Sequence, residues 1–359
     1  MKKIVLTGGG TAGHVTPNIA LLPALQAAGY EIAYVGSYEG IEKKLIADFN
    51  IPYTGISTGK FRRYLDPKNF SDPFRVMKGF VEARNYLKNY QPDVVFSKGG
   101  FVSVPVVRAA ASLHIPCIIH ESDMTPGLAN KLCIPVAEKV CCNFPETMKN
   151  IPADKAVLTG SPIRAELAQG SRLAGLNMCG FTANKPVIMV IGGSLGAANV
   201  NKAVRDALPK LLEDFQVVHL CGKDKIDNLL LNTPGYKQFE YIKSELKDIF
   251  AMADVVISRA GANAICELLA LKKPNILIPL PAASSRGDQL LNAASFEAQG
   301  YSIVLNEDDI TTNLLVDKVH ELYFNRQNYV EAMSRSHQMD AINTIMLLIN
   351  EAANKNHTQ

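Results

Sequence analysis

The sequence lacks any long hydrophobic run, the feature that a membrane-spanning protein needs. No uninterrupted apolar stretch reaches the roughly 18 residues of a spanning helix. The opening segment MKKIVLTGGG runs into glycine too soon after its lysines to be a signal peptide. With 47% hydrophobic and 20% charged residues, the composition is that of an ordinary globular protein. We therefore expect a protein that is soluble or bound at a membrane surface.

Cysteines spaced as a redox or zinc-binding motif are absent as well. The seven cysteines are odd in number, and they show neither a C-x-x-C motif nor a paired zinc-binding spacing. Cys141 and Cys142 are adjacent within an apolar run. We expect all seven to be buried, reduced thiols of a cytoplasmic protein.

Three nucleotide-binding patterns are also missing. There is no G-x-x-x-x-G-K-[ST], which argues against a P-loop nucleoside triphosphatase. The glycines of VLTGGGTAGHV fit the G-x-G-x-x-G dinucleotide fingerprint poorly. No D-x-D pair occurs, which disfavours a nucleotide-sugar enzyme that holds Mg²⁺ with such a pair. A bound diphosphate must then be met by backbone N–H groups, a helix dipole and arginine.

What the sequence does contain is an alternation of short apolar runs and helical patterns. Near-continuous Val/Ile runs separated by helices of about 10–18 residues predict βαβ units with parallel sheets. The length of 359 residues favours two domains, with a linker near 163–166 and a final helix packing back on the first domain. The predicted strands are KKIVLTG, EIAYVGS, DVVFSKG, PCIIHES, EKVCCN, PVIMVIGG, QVVHLCG, FEYI, DVVISRAG, PNILIPL and YSIVLN.

The charge is unevenly divided along the chain. The net charge is +3, but residues 1–165 alone have an excess of positive charge, and residues 166–359 an excess of negative charge. The basic residues concentrate in 61–90, which suggests a half that meets something anionic. The alternative is an ordinary amphipathic helix with a solvated basic side. The aromatic and basic residues concerned are Phe61, Arg62, Arg63, Phe70, Phe74, Arg75, Lys78 and Phe80.

Each half opens with a strand that runs into glycines and then a helix. In IGGSLGAANVN, Gly192, Gly193 and Gly196 allow a tight turn and Ser194 offers a hydroxyl at a helix start. Unpaired N–H groups and the helix dipole make such a turn a site for a diphosphate. The alternative is an ordinary βα turn, which favours glycine for conformational reasons alone.

Other strand ends present polar side chains that could be functional or structural. Glu267 is the only acid of its predicted helix; it could bind two ribose hydroxyls or simply be solvated. Asp288 could cap a helix that also presents Gln289 and Asn292. The first half has Gly99, Gly100 and Ser103 in FSKGGFVSVP, and His120, Glu121 and Asp123 in IIHESDMTPG. His120 and Glu121 could be an acid–base group or a buried hydrogen-bonded pair.

Read together, these loops resemble one family, the bacterial MurG glycosyltransferases. The resemblance rests on GGGTAGHVTP, SKGGFVSVP, HES, GSPIR, GGSLGAANVN, SRAGANAICE and RGDQLLNA, and it extends over nearly the whole chain. It implies an α/β fold of the GT-B type, with two Rossmann-like doubly wound domains facing a cleft. The implied domains are 1–164, with a C-terminal helix at about 340–359 packing on it, and 165–339.

The resemblance also implies an activity. Members transfer N-acetylglucosamine from UDP-GlcNAc, with inversion, to the C4 hydroxyl of the muramoyl-pentapeptide of lipid I, giving lipid II for peptidoglycan synthesis. It implies no metal, no cofactor and no nucleic-acid partner. The protein would sit peripherally on the cytoplasmic face of the cell membrane, with the basic segment 61–90 on anionic lipid.

Site residues follow by position from the same resemblance. His14 is the first candidate for the base that accepts the acceptor's proton, and Glu121 is the second. Gly99, Gly100, His120 and Asp123 would face the acceptor and its pyrophosphate; Asp123 stands where many relatives have asparagine. The residues implied for UDP-GlcNAc are Thr11, Ala12, Gly13, Arg164, Ser194, Ile242, Glu267 and Gln289, with Ile242 at the uracil and Glu267 at the ribose.

Two other functions stay open. One is a different enzyme of the same architecture, such as a diacylglycerol glucosyltransferase or a UDP-GlcNAc 2-epimerase, which needs no acceptor. The other is a non-catalytic subunit that binds a nucleotide sugar. Such a subunit would bind UDP but need no polar groups across the cleft, whereas His14, His120 and Glu121 are present.

Overall fold

The computed structural model describes residues 1–59, 72–193, 196–282 and 287–355. The chain divides into two compact units. Unit 1 comprises Met1–Arg164 together with Asp340–Gln359, and unit 2 comprises Ala165–Met339. Each unit is built on one parallel sheet, which confirms the predicted α/β class.

The sheet of unit 1 has the strand order β3-β2-β1-β4-β5-β6-β7 within the described residues, and all neighbours pair in parallel. Its strands are β1 (Lys3–Thr7), β2 (Glu31–Ser37), β3 (Tyr53–Ile56), β4 (Val94–Ser97), β5 (Cys117–Glu121), β6 (Lys139–Cys142) and β7 (Ala156–Leu158). Its helices within Met1–Arg164 are α1 (Thr16–Ala27), α2 (Ile41–Ile46), α3 (Asp72–Tyr90), α4 (Ser103–Ser112), α5 (Leu128–Cys133) and α6 (Pro145–Met148).

Both faces of this sheet are covered, which explains why its central strands are apolar throughout. On one face, Val5 and Val95 pack with Ala83 of α3 and Val106 of α4. On the other face, Ile4, Leu6 and Phe96 pack with Leu21 and Leu25 of α1. Such burial on two sides is the arrangement expected of a doubly wound sheet.

Unit 2 repeats the plan with the strand order β10-β9-β8-β11-β12-β13, again in parallel over the described residues. Its strands are β8 (Val187–Ile191), β9 (Gln216–Leu220), β10 (Tyr236–Phe239), β11 (Val255–Ser258), β12 (Asn275–Leu277) and β13 (Ser302–Val304). Its helices are α7 (Arg172–Cys179), α8 (Ala198–Asp214), α9 (Leu246–Met252), α10 (Ala262–Ala270), α11 (Asp288–Ala298), α12 (Thr312–Phe324) and α13 (Arg326–Ser334).

The last helix, α14 (Ala341–Lys355), belongs to unit 1 rather than to the unit that precedes it in the chain. Its buried residues Ile345 and Ile349 join the cluster that covers β1 and α1. The hydroxyl of Tyr30 donates to Asn350 Oδ1 at 2.7 Å, which fixes the helix beside the start of β2. Residues far apart in the sequence therefore complete one core.

Three strands differ from the sequence-based prediction. β3 and β7 were not expected, because YTGI contains glycine and AVL has only three residues. The strand expected at FEYI lies three residues earlier, at β10. β10 is an edge strand in which Tyr236 and Gln238 are buried and Lys237 is exposed. Edge strands lack the continuous apolar run by which the central strands were recognised.

The cysteines agree with the prediction of buried thiols. All seven lie within the described residues, and each is a buried free thiol. Burial raises the pKa of Cys133 and of Cys142 to about 12, so both stay protonated at neutral pH. They act as small apolar side chains of the core.

The packing of α14 yields a stability prediction. Ile349→Ala removes a fully buried side chain from the core of unit 1 and leaves a cavity, so the free energy of unfolding should fall by about 2–5 kcal/mol. Leu347→Ala, on the same helix but 63% exposed, should change it by less than about 0.5 kcal/mol. Urea unfolding of both variants measures the difference, and equal losses would contradict this packing.

Candidate functional site

The candidate site of unit 1 lies where three adjacent strands end. β1, β4 and β5 are neighbours in the sheet, and parallel pairing brings their carboxyl ends to one edge. The turn after β1 contacts the turn after β4: Lys98 N donates to Thr7 O at 2.9 Å and Gly9 N donates to Gly99 O at 3.3 Å. This edge of the sheet is where ligands of such folds bind.

The contact between the two turns requires glycine. Gly100 has a φ of +84°, a conformation that other residues adopt rarely. A Cβ atom at Gly100 would also lie 2.2 Å from Gly9 O, which is a steric clash. Any larger residue here would separate the two turns.

Glu42, from α2, supports the first turn. Its side chain is fully buried, Oε2 accepts from Gly10 N at 3.1 Å and Oε1 accepts from Ser37 N at 3.0 Å. Burial raises the pKa of Glu42, but the hydrogen bonds from Ser37 and Gly10 more than offset this and the pKa lies below its usual value. The residue is therefore a carboxylate that holds the glycine turn in place.

The segment Thr11–His14 follows this turn and forms a 3₁₀ turn over Ala12–His14. Thr11 and Ala12 are exposed, whereas Gly13 and His14 are half-buried. Thr11 Oγ1 and His14 Nδ1 lie 3.1 Å apart, which is hydrogen-bonding distance. Burial and the nearby Lys98 lower the pKa of His14 to about 4, so the imidazole is neutral at pH 7 and can accept a proton.

His120 lies in β5 and is fully buried. Its Nε2 is 2.9 Å from Gly160 O, so Nε2–H donates to that carbonyl. Burial, helped by Lys98, lowers the pKa of His120 well below its usual value. In this structure the imidazole therefore ties β5 to the turn after β7.

Glu121 shapes the loop that follows β5. The residue is 3% exposed; Oε1 accepts from Asp123 N at 2.9 Å, and Oε2 accepts from Gly127 N at 3.0 Å and from Asn130 Nδ2 at 2.8 Å. Asp123 itself is half-buried on this loop. With both oxygens accepting hydrogen bonds from this loop, the Glu121 side chain is a structural anchor of the segment.

The candidate site of unit 2 lies at the corresponding edge, where β8, β11 and β12 end. Gly193 and Gly196 have φ values of +88° and +69°, and a Cβ atom at Gly196 would lie 2.1 Å from Cys221 O. α8 begins immediately afterwards, and its N-cap residue Ala197 has no side-chain acceptor. Ser194, which is predicted to bind the nucleotide sugar, lies outside the described residues.

Buried polar side chains fix the neighbouring strand ends of unit 2. Arg259, 9% exposed, donates from Nη1 to Ile278 O at 3.1 Å and forms an ion pair with Glu307. Asn292 of α11 donates to Ala260 O at 3.0 Å. Among the described residues, no group of three or more His, Cys, Asp or Glu side chains is arranged to hold a metal ion.

The other residues predicted to bind the nucleotide sugar are distributed over the two units. Glu267 lies half-buried in α10, and Gln289 lies half-buried in the first turn of α11, where its Oε1 accepts from Leu280 N at 3.1 Å. Ile242 is 5% exposed, and Arg164 is half-buried at the end of unit 1. The suggested cap residue Asp288 is the first residue of α11 instead, and Gly287 occupies the N-cap position.

Two buried charged residues of unit 1 were missed by the sequence analysis. Glu42 lies within the surface-like segment YEGIEKK, and nothing in that pattern distinguishes it from a solvated acid. Lys98 lies inside the SKGGF motif, yet it was read only as part of a glycine turn. Its side chain is 1% exposed, and its ammonium donates to Ser122 Oγ. Burial of charge, which identifies both residues, is visible only in three dimensions.

Comparisons with known proteins agree over most of the chain. Residues 4–142 match the glycosyltransferase family 28 N-terminal domain, and residues 187–346 match the family 28 C-terminal domain. The chain is 64% identical over 351 residues to a UDP-N-acetylglucosamine--N-acetylmuramyl-(pentapeptide) pyrophosphoryl-undecaprenol N-acetylglucosamine transferase of Lachnospira eligens. That alignment covers 98% of this chain and 99% of the relative.

Solved structures show the same architecture. MurG of Acinetobacter baumannii superposes with a TM-score of 0.77 at 29% identity, covering 98% of this chain and all of the other. A UDP-GlcNAc 2-epimerase of Neisseria meningitidis gives a TM-score of 0.69 at 14% identity, covering 98% of this chain and all of the other. An identity this low indicates a shared fold and nothing more.

The electrostatics of unit 1 give a titration prediction. We expect His14 to titrate near pH 4. Lys98→Met should raise the pKa of His14 and of His120, because removal of a nearby positive charge favours the imidazolium. NMR of isotopically labelled histidine measures both values, with the exposed Lys149→Met as the control. Because the folded pKa lies below the unfolded value of about 6.5, stability should fall as the pH drops from 6.5 towards 4. A His14 midpoint near 6.5 would refute this account.

Proposed function

Because the chain belongs to glycosyltransferase family 28, and within it to the MurG N-acetylglucosamine transferases, we propose that it transfers N-acetylglucosamine from UDP-GlcNAc to lipid I, giving lipid II. The observation that carries this proposal is the 64% identity to such a transferase over 98% of the chain. The residues of each candidate site are consistent with one half of the reaction.

Unit 2 would bind the donor. The glycine turn at Gly192–Gly196 precedes the N-terminus of α8, whose first N–H groups and dipole favour a diphosphate. Negative charge on the diphosphate grows as the sugar departs, so these groups would stabilise the leaving UDP. Glu267 would accept hydrogen bonds from the ribose hydroxyls, Gln289 would lie beside the sugar, and Ser194 and Ile242 stay candidates for the phosphate and the uracil.

Unit 1 would bind the acceptor and remove its proton. In the proposed step the C4 oxygen of the muramoyl sugar attacks C1 of N-acetylglucosamine, the bond from C1 to the diphosphate oxygen breaks, and the configuration at C1 inverts. The hydroxyl proton passes to His14, which is neutral at pH 7. A base with a pKa of about 4 is weak, but an anionic substrate bound nearby raises that pKa towards neutrality.

His14 suits the role of base better than Glu121. Glu121 is nearly fully buried and three hydrogen-bond donors hold its carboxylate. Accepting a proton would disrupt these bonds and the loop that they shape. His14 is only half-buried and has fewer hydrogen-bond partners, namely the hydroxyl of Thr11 at Nδ1 and the backbone of Gly9.

We also propose that unit 1 rests on an anionic membrane, on the cytoplasmic face. Phe74, Met77 and Val81 of α3 are 79%, 64% and 52% exposed, and their spacing places them on one helix face. The exposed Arg75 and Lys78 lie on the same helix. Exposed apolar residues flanked by cations favour the interface of an anionic bilayer.

Other residues of the proposed basic patch do not support the contact. Phe80 packs against the core of unit 1, because the buried Gly79 brings α3 close to Ser57. Phe61, Arg62, Arg63 and Phe70 lie outside the described residues. Over the described ranges, no helix combines the length and the apolar character that crossing a bilayer requires.

The proposed activity is tested with purified protein, UDP-GlcNAc and lipid I. We expect UDP release and formation of the disaccharide lipid, and His14→Ala should lower turnover by about 10²–10⁴-fold because the base is lost. The control is His114→Asn. His114 is exposed and has a left-handed backbone conformation, which asparagine tolerates, so this variant should leave turnover unchanged. Conversion of UDP-GlcNAc to its 2-epimer without acceptor would instead indicate an epimerase, and near-normal turnover of His14→Ala would reassign the base.

The membrane contact is tested by vesicle co-sedimentation. Combined Arg75→Glu and Lys78→Glu substitutions should weaken binding to anionic vesicles at least about tenfold, since each near-surface cation contributes about 1 kcal/mol. A Phe74→Ser, Met77→Ser, Val81→Ser variant should weaken binding at any salt concentration, because it removes the apolar contact. Leu347→Ser, an exposed position on α14, is the control. Unchanged binding of both α3 variants would exclude this helix as the contact.

A further inference from the structure

Lys98 is the most deeply buried cation near the candidate site of unit 1. It follows β4 directly and is 1% exposed, although lysine is rarely buried to this extent. Its ammonium reaches across to the loop after β5, where it donates to Ser122 Oγ. Removing a charge from water is costly, so a lysine kept in such a place indicates a use for its charge.

The side chain lies directly beneath the turns that would face the acceptor. A Cβ atom at Gly8 would lie 3.2 Å from Lys98 Cβ, so the lysine packs against the first glycine turn. Lys98 also begins the second turn, Gly99–Gly100, and its backbone N–H donates to Thr7 O. Lys98 therefore lies among the strand ends of β1, β4 and β5, with its ammonium at the loop after β5.

The field of Lys98 reaches the surface of this site. Lys98 lowers the pKa of both His14 and His120, second only to burial as a cause. Glu42 is the opposing charge from α2, and at His14 its effect is smaller than that of Lys98. Of these two charges, Lys98 therefore has the larger effect on the imidazole. A buried charge is poorly screened by solvent and salt, so its influence extends to a bound ligand.

We propose that Lys98 is a positioning cation of the acceptor site, whose ammonium attracts the pyrophosphate of the lipid acceptor to the turns Gly8–Gly10 and Gly99–Gly100. This inference rests on the proposed function and adds to it the residue whose positive charge attracts the pyrophosphate. Lys98 acts through the field beneath the turns and does not contact the reacting hydroxyl. It also favours an acceptor with a pyrophosphate over a neutral lipid such as a diacylglycerol.

Steady-state kinetics separate this role from a general structural one. Lys98→Met keeps the length of the side chain and removes its charge. We expect the KM for lipid I to rise about tenfold, in keeping with the loss of one charge-assisted interaction. The KM for UDP-GlcNAc should stay within about twofold, because that ligand is assigned to unit 2. Lys149→Met, which removes an exposed lysine of unit 1, is the matched control.

Pyrophosphate binding tests the inference without relying on transfer. Calorimetry with inorganic pyrophosphate, in the presence of saturating UDP to occupy the donor site, should show binding to the wild-type chain and about tenfold weaker binding to Lys98→Met. If transfer fails while this difference persists, the proposed function is wrong and the Lys98 assignment stands. Equal pyrophosphate affinity of the two proteins, or an equal rise in both KM values, would overturn the role of Lys98.

Discussion

Parallel pairing of the central strands is the constraint on which both candidate sites depend. β4 pairs with β1 on one side and with β5 on the other, so three turns distant in sequence meet at one edge. The pairs of β11 with β8 and with β12 do the same in unit 2. A slip of register in either sheet would separate these turns and turn each buried side chain to the opposite face. The chemistry is thus set by the sheets and not by the loops alone.

The buried charges of unit 1 stabilise the turns and also determine their electrostatic character. Glu42 accepts the N–H of Gly10, whereas Lys98 packs against Gly8. A carboxylate alone would repel an anionic substrate, but the ammonium of Lys98 has a larger effect on the pKa of His14 than Glu42 has. In unit 2 the buried ion pair of Arg259 and Glu307 lies beside the start of α8, where Asn199 donates to Glu307 and backbone N–H groups are presented. The proposed acceptor site is therefore underlain by a buried lysine, and the proposed donor site lies at the start of a helix.

The sequence predicted the central strands well because their burial on both faces leaves continuous apolar runs. It failed at β3, β7 and β10, where short or edge strands have a weaker pattern. Glycine turns were also recognisable, since a positive φ or a close backbone contact excludes other residues, as at Gly100. The buried charges were not, because Glu42 and Lys98 look like surface residues until the fold encloses them. Ile242 was likewise assigned to a ligand contact without any sign in the sequence that it is almost fully buried.

The position of α14 has a consequence for biosynthesis. Ile345 and Ile349 belong to the core that covers β1 and α1, yet the ribosome adds them only after all of unit 2. Unit 2 is continuous in sequence and can fold as soon as it has emerged from the exit tunnel. The amino-terminal sheet, although translated first, lacks the part of its cover that α14 provides until that helix has been translated. The unit that is translated first is therefore the one whose core is completed last.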